Sequence, residues 1–99
     1  MGREQHIIRK IAEVFDIEEN FLSNRSMKRV YVYPRKVLLS MLVKYGNMSI
    51  NSASKYCGYK SHATGIYHLR DIDPLCFQFE LFNHKYKLVC DESEKVYGI

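Results

Sequence analysis

Between Pro34 and Gly46 the chain sets Val37, Leu38, Met41, Leu42 and Tyr45 on one face of a helical wheel. That apolar stripe predicts an amphipathic helix that other elements must cover. Pro34 suits its first turn, where a missing N–H costs nothing, and Gly46 is placed to end it. The same period recurs upstream, where Ile7, Ile8, Ile11, Val14 and Phe15 predict a helix over 4–15. A short second helix is expected over 17–22 from Ile17, Phe21 and Leu22, followed by an exposed loop over 23–32, where no period holds. Downstream, Ser49 can cap a helix over 50–57 that buries Ile50, Ala53 and Cys57 and closes at Gly58. Ser61 can cap a further helix running to about residue 72. Two helices joined by a short turn containing glycine form a helix-turn-helix pattern.

The C-terminal segment, 73–99, leaves two readings open. As a helix opened by Asp73 and Pro74, it carries one stripe of Leu75, Phe79, Phe82, Tyr86 and Val89 and a second, opposite stripe of Phe77, Leu81 and Leu88. As a hairpin, Phe77, Phe79 and Leu81 alternate and Asn83-His84 forms the turn. The helical reading leaves one stripe in need of a partner, and a homodimer through 75–89 is expected.

With 99 residues, 46% of them hydrophobic, the chain is expected to fold as one helical domain with one modest core. No apolar run approaches a membrane span and no signal-peptide core opens the chain, so a cytoplasmic protein is expected. Cys57, Cys76 and Cys90 are odd in number and lack C-x-x-C spacing, and His6, His62, His68 and His84 form no ligand grouping with them. Neither a disulfide framework nor a metal site is expected. Gly58-Tyr59-Lys60-Ser61 has the look of a P-loop end, but G-x-x-x-x-G-K-[ST] is missing, so no nucleotide cofactor is implied. Without a paired acid and base, an activated nucleophile or a metal cluster, the expectation is a binding domain and not an enzyme.

Charge is unevenly placed. The overall balance is +4, yet 1–20 carries −2 and 71–99 carries −3. Between them, 21–70 contains no carboxylate and nine cations: Arg25, Lys28, Arg29, Arg35, Lys36, Lys44, Lys55, Lys60 and Arg70. A merely solvated surface would mix both signs, so this segment points to a polyanionic partner, nucleic acid above all.

Several short motifs lie in and around that segment. Ile8 to Phe15 reads I-x-x-x-A-x-x-F, and Phe21-Leu22-Ser23 and Arg25 follow. Tyr33-Pro34-Arg35-Lys36 precedes the long apolar helix, and Gly58-Tyr59-Lys60-Ser61-His62-Ala63-Thr64-Gly65-Ile66 opens the last one of the block. In order and spacing, 8–72 resembles the C-terminal DNA-binding domain of the bacterial replication initiator DnaA, with one extra residue in the 26–32 loop. The resemblance implies an all-α domain with a Trp-repressor-like helix-turn-helix that binds double-stranded DNA at the nucleoid, in replication initiation, transcription regulation or a mobile element's own biology. It implies minor-groove contact by Lys28 or Arg29 from the basic loop that also holds Arg25. It further implies backbone and base contact by Arg35 and Lys36, and major-groove entry by Ser61, His62, Ala63 and Thr64 after Lys60. Where the family has Asp and Thr, this chain has Ser61 and Ala63. A carboxylate accepts from cytosine N4, serine reads donors and acceptors alike, and alanine reaches only a thymine methyl, so the family's target sequence does not carry over.

Helical geometry sorts the same residues independently. Ile66 and Leu69 mark the buried side of the 61–72 helix, and Ala63, Thr64 and Tyr67 point outward. Tyr67 is either a sugar–phosphate contact or a plain surface tyrosine. His62 either contacts DNA or caps and packs, and Gly65 is expected to allow close packing on the 50–57 helix. Tyr31 and Tyr33 either pack at the core edge or lie along a nucleic-acid backbone, while Lys44 and Lys55 suit solvated positions. The alternative to DNA reading is a protein–protein adaptor or dimerisation module that keeps this fold, a view that Ser61 and Ala63 favour.

Overall fold

The computed structural model describes residues 2–23 and 28–98, with Arg29 described by its backbone. Its regular structure is entirely helical: α1 (Arg3–Phe15), a 3₁₀ turn (Phe21–Ser23), α2 (Arg29–Lys44), α3 (Ile50–Tyr56), α4 (His62–Arg70), α5 (Ile72–Gln78) and α6 (Glu80–Tyr97). Helix α2 is the hub. It packs against α1, the 3₁₀ turn, α3, α4, α5 and α6, and it is buried without a break from Lys36 to Leu42. Around it close Ile7, Ile8 and Ile11 of α1, Phe21, Ala53, Cys57, Ile72 and Leu75, and then Phe82, Tyr86 and Val89 of α6. No helix among the described residues is long and apolar enough to cross a membrane.

Several expected boundaries move, each for a physical reason. Helix α1 stops at Phe15 because Asp16 adopts a left-handed conformation (φ 58°) and its N–H and that of Ile17 bond back to Glu13 and Ala12. Aspartate tolerates that region better than most residues, but its identity alone does not announce it. The expected 17–22 helix shrinks to the 3₁₀ turn that buries Phe21. The expected 23–32 loop is shortened too, since α2 already begins at Arg29 and Pro34 lies inside it. The extra turn brings Tyr31 and Tyr33 against the core, where Tyr33 meets the Phe82 ring edge-on at 5.4 Å. Burying two aromatic faces outweighs the hydrogen bond that Pro34 cannot donate. Gly46 does not supply the left-handed turn after α2; Asn47 does, at φ 57°.

The C-terminal segment is helical, and the hairpin reading is overturned. The helix is not continuous, however: Phe79 is extended (φ −122°, ψ 105°) and separates α5 from α6. Helix α5 begins after Asp71, so Asp73 and Pro74 fall within its first turn rather than opening it. The break lets α5 stay with α2 and α4 while α6 runs along α1. Of the expected inner stripe, Leu75, Phe82, Tyr86 and Val89 are buried, and Phe79 is displaced to the surface.

One polar pair is sealed in this core. Ser40 of α2 and Tyr86 of α6 share a hydrogen bond of 2.7 Å between their hydroxyl oxygens. Removing one partner strands the other in an apolar setting. Tyr86→Phe is expected to lower the unfolding free energy by about 1–2 kcal/mol in a denaturant titration, with helix content at neutral pH unchanged.

Candidate nucleic-acid interface

Helices α3 and α4 meet through a turn built from local hydrogen bonds. Ser49 caps α3 by accepting from the Ser52 N–H at 3.1 Å. At the far end, Gly58 N–H bonds to Lys55 and Tyr59 N–H to Ser54, with Gly58 at φ 84°, a region where only glycine is unstrained. Ser61 then caps α4: its Oγ accepts from Thr64 N–H at 3.1 Å and lies 2.9 Å from the Thr64 hydroxyl.

The two helices approach closely at one point. A Cβ added to Gly65 would lie 1.9 Å from Ser54 Oγ and 3.1 Å from Ser54 Cβ. Gly65 is buried, so this glycine sets the spacing of the pair, as its azimuth suggested. On the other side of α4, the His68 ring stacks on Tyr59 of the turn, centroids 4.6 Å apart and planes within 20°. Tyr67 meets His68 edge-on at 5.3 Å. Just past α4, Asp71 forms an ion pair with Lys36 of α2. The start of α4 therefore projects from a base held by α3, by the turn and by α2.

The expected contact residues separate into two groups. Lys60, Ser61, His62, Ala63 and Tyr67 are exposed and Thr64 is half-buried, all on one turn and the first two turns of α4. Tyr67 keeps 67% of its surface in solvent. His62 is exposed because it stands at the helix start, before the packed turns begin. The corner residues are different. Lys36 is only 6% exposed and has Asp71 as its counterion, so it is a core residue rather than a presented contact. Arg35 is half-buried and donates from Nη2 to the Leu22 carbonyl at 3.0 Å, tying the 3₁₀ turn to α2. Lys28 is exposed at the N-cap of α2 and Arg29 begins that helix, while Arg25 lies outside the described residues.

The residues that support the site, Tyr59, His68 and Asp71, carry no periodic signal that singles them out. Asp71 is the first carboxylate after the acid-free stretch, but its pairing with Lys36 spans 35 positions and exists only in the fold. Burial lowers the pKa of His68, and Lys36 and Arg35 lower it further against the opposing pull of Asp71. Burial likewise pushes the Tyr59 phenol up. The Cys57 thiol is pushed up to about 12 by burial, and all three cysteines are free. Among the described residues no three side chains are grouped to hold a metal ion. No protein-family model, curated protein or solved structure matches this chain.

Two outcomes follow from this geometry. Gly65→Val is expected to cost about 1–3 kcal/mol of stability, because the new side chain must push Ser54 and α3 away. The second concerns pH. Folding disfavours the charged form of His68, so as pH falls through its ordinary value of 6.5 the unfolded chain takes up the proton first and stability drops. Wild type is expected to lose stability between about pH 7 and 5 relative to His68→Phe, which keeps a ring on Tyr59 without a titrating nitrogen. Parallel melting curves at several pH values measure the difference.

Proposed function

We propose that this chain binds double-stranded DNA through α3 and α4 acting as a Trp-repressor-like helix-turn-helix, with the start of α4 entering the major groove. The observation that carries the reading is the exposed set Lys60, Ser61, His62, Ala63 and Tyr67, which projects from a segment of nine cations and no carboxylate. The resemblance of 8–72 to the DnaA C-terminal domain supports it, and so does the way Gly65 seats α4 against α3. Phosphate contacts supply affinity and the helix start supplies the choice of sequence. Ser61 is spent on its cap and on the Thr64 hydroxyl, so the Thr64 methyl, His62 and Ala63 are the groups left to meet base edges. The role belongs to the class of replication or transcription control at the nucleoid, without chemistry of its own. The adaptor alternative draws support from Lys36, whose charge is consumed inside the fold.

With Lys36 internal, four to six cations remain for phosphates, and log K should fall with log salt at a slope of about −3.6 to −5.4. Lys60→Ala is expected to flatten that slope by about one unit, whereas Lys36→Met should lower stability and leave the slope of the folded protein unchanged. Thr64→Ala, which removes the methyl left to meet a base edge, is expected to cost about 1 kcal/mol on a site selected from random duplexes and almost nothing on a scrambled one. Fluorescence anisotropy on the two duplexes measures all of these. A slope near zero with wild type would reject DNA binding in favour of the adaptor.

A further inference from the structure

The face opposite the inner stripe of α5 and α6 is unusually apolar. Phe77 is 95% exposed and Leu81 66%, with Val30 at the start of α2 and Phe79 beside them. A cavity of about 330 Å³ opens at the α5–α6 junction. Phe15 and Phe82, Val30 and Tyr33 wall it, Phe79 and Leu81 border it, and Lys85 lines it with its Nζ 5.2 Å from the Phe15 ring centroid. Phe77 itself does not line the cavity, although residues two and four positions further along do.

We propose that this face is a two-fold interface between two copies of the chain, in which Phe77 of each copy enters the cavity of the other. Three features select a second copy as the occupant. An almost fully exposed ring stands two residues before Phe79 on the rim of an apolar cavity large enough to take it, and a two-fold axis relating two copies would fill both cavities at once. Charge follows the same logic. Phe77 is accompanied by exposed carboxylates, Asp73 one helical turn before it and Glu80 at the start of α6, whereas the cavity presents Lys85. Insertion therefore carries Glu80 of one copy towards Lys85 of the other, twice. Finally, the exposed portions of Phe77, Phe79, Leu81 and Val30 amount to on the order of 400 Å² per copy, given the roughly 150–250 Å² an aromatic side chain covers. That is about half of the ~800 Å² per partner in a standard interface. It fits a dimer that forms and dissociates with concentration. The interface involves none of Lys60 to Tyr67, so it stands independently of the DNA reading.

The test is sedimentation of the full chain over a concentration series at low salt, without DNA. Wild type is expected to pass from monomer to dimer, and Phe77→Ser, at a position too exposed to affect folding, to weaken association about tenfold or more. Glu80→Lys and Lys85→Glu should each weaken it, because each places like charges opposite one another at both ends of the interface. An equimolar mixture of the two variants restores both pairs and should associate as wild type does. Circular dichroism checks that each variant is folded. Wild type that remains monomeric at high micromolar concentration overturns the proposal and leaves the face to another kind of partner. A dimer insensitive to Phe77→Ser, or a mixture no tighter than its two components, also overturns it.

Discussion

Everything in this fold is arranged around seven consecutive residues of α2, Lys36 to Leu42, that are all buried. A helix buried on every side cannot be satisfied by one neighbour, which is why all the other helices pack against it. One of those seven is a lysine. A buried ammonium without a counterion is costly, so the arrival of Asp71 at the α4–α5 junction is a condition of this packing. The same contact ties the end of α4 to the central helix. The requirement that α2 be wrapped and the placement of the candidate interface are thus one problem with one solution.

That solution divides the cations of the acid-free segment by task. Lys36 balances a carboxylate inside and Arg35 holds the backbone of the 3₁₀ turn, while Lys60, in the turn before α4, stays at the surface. The stacking of His68 on Tyr59 and the contact of Gly65 with Ser54 hold α4 from two further sides. These contacts fix α4 from several sides, as the role proposed for its exposed start requires. Burial, and then the cations around it, disfavour the charged form of His68 there.

The break at Phe79 has a comparable effect on the C-terminal helices. By turning the chain between α5 and α6 it lets both helices reach the core, but it displaces Phe79 from the inner stripe and leaves Phe77 and Leu81 outward. Solvent-facing aromatic and leucine side chains beside an apolar cavity are hard to reconcile with a purely solvated face. The apolar surface at the α5–α6 junction is thus built from residues other than the exposed set at the start of α4.

Helical periodicity and capping chemistry were legible residue by residue. The stripes of α1, α2 and α6, the serine caps at Ser49 and Ser61, the glycine turn at Gly58 and the close approach at Gly65 are all local or follow one helix face, and a linear sequence records such features directly. The uneven charge was legible for the same reason. What the tertiary structure decided is everything that depends on a partner far along the chain. It extended α2 back through Pro34 because Tyr31 and Tyr33 had Phe82 and the core to pack on, and it broke the C-terminal helix at Phe79, where no glycine or proline marks the place. It also withdrew Lys36 from the surface, because a lysine's charge says only that it needs an anion. Whether that anion is a phosphate outside or Asp71 inside is settled by which one the folded chain brings within reach.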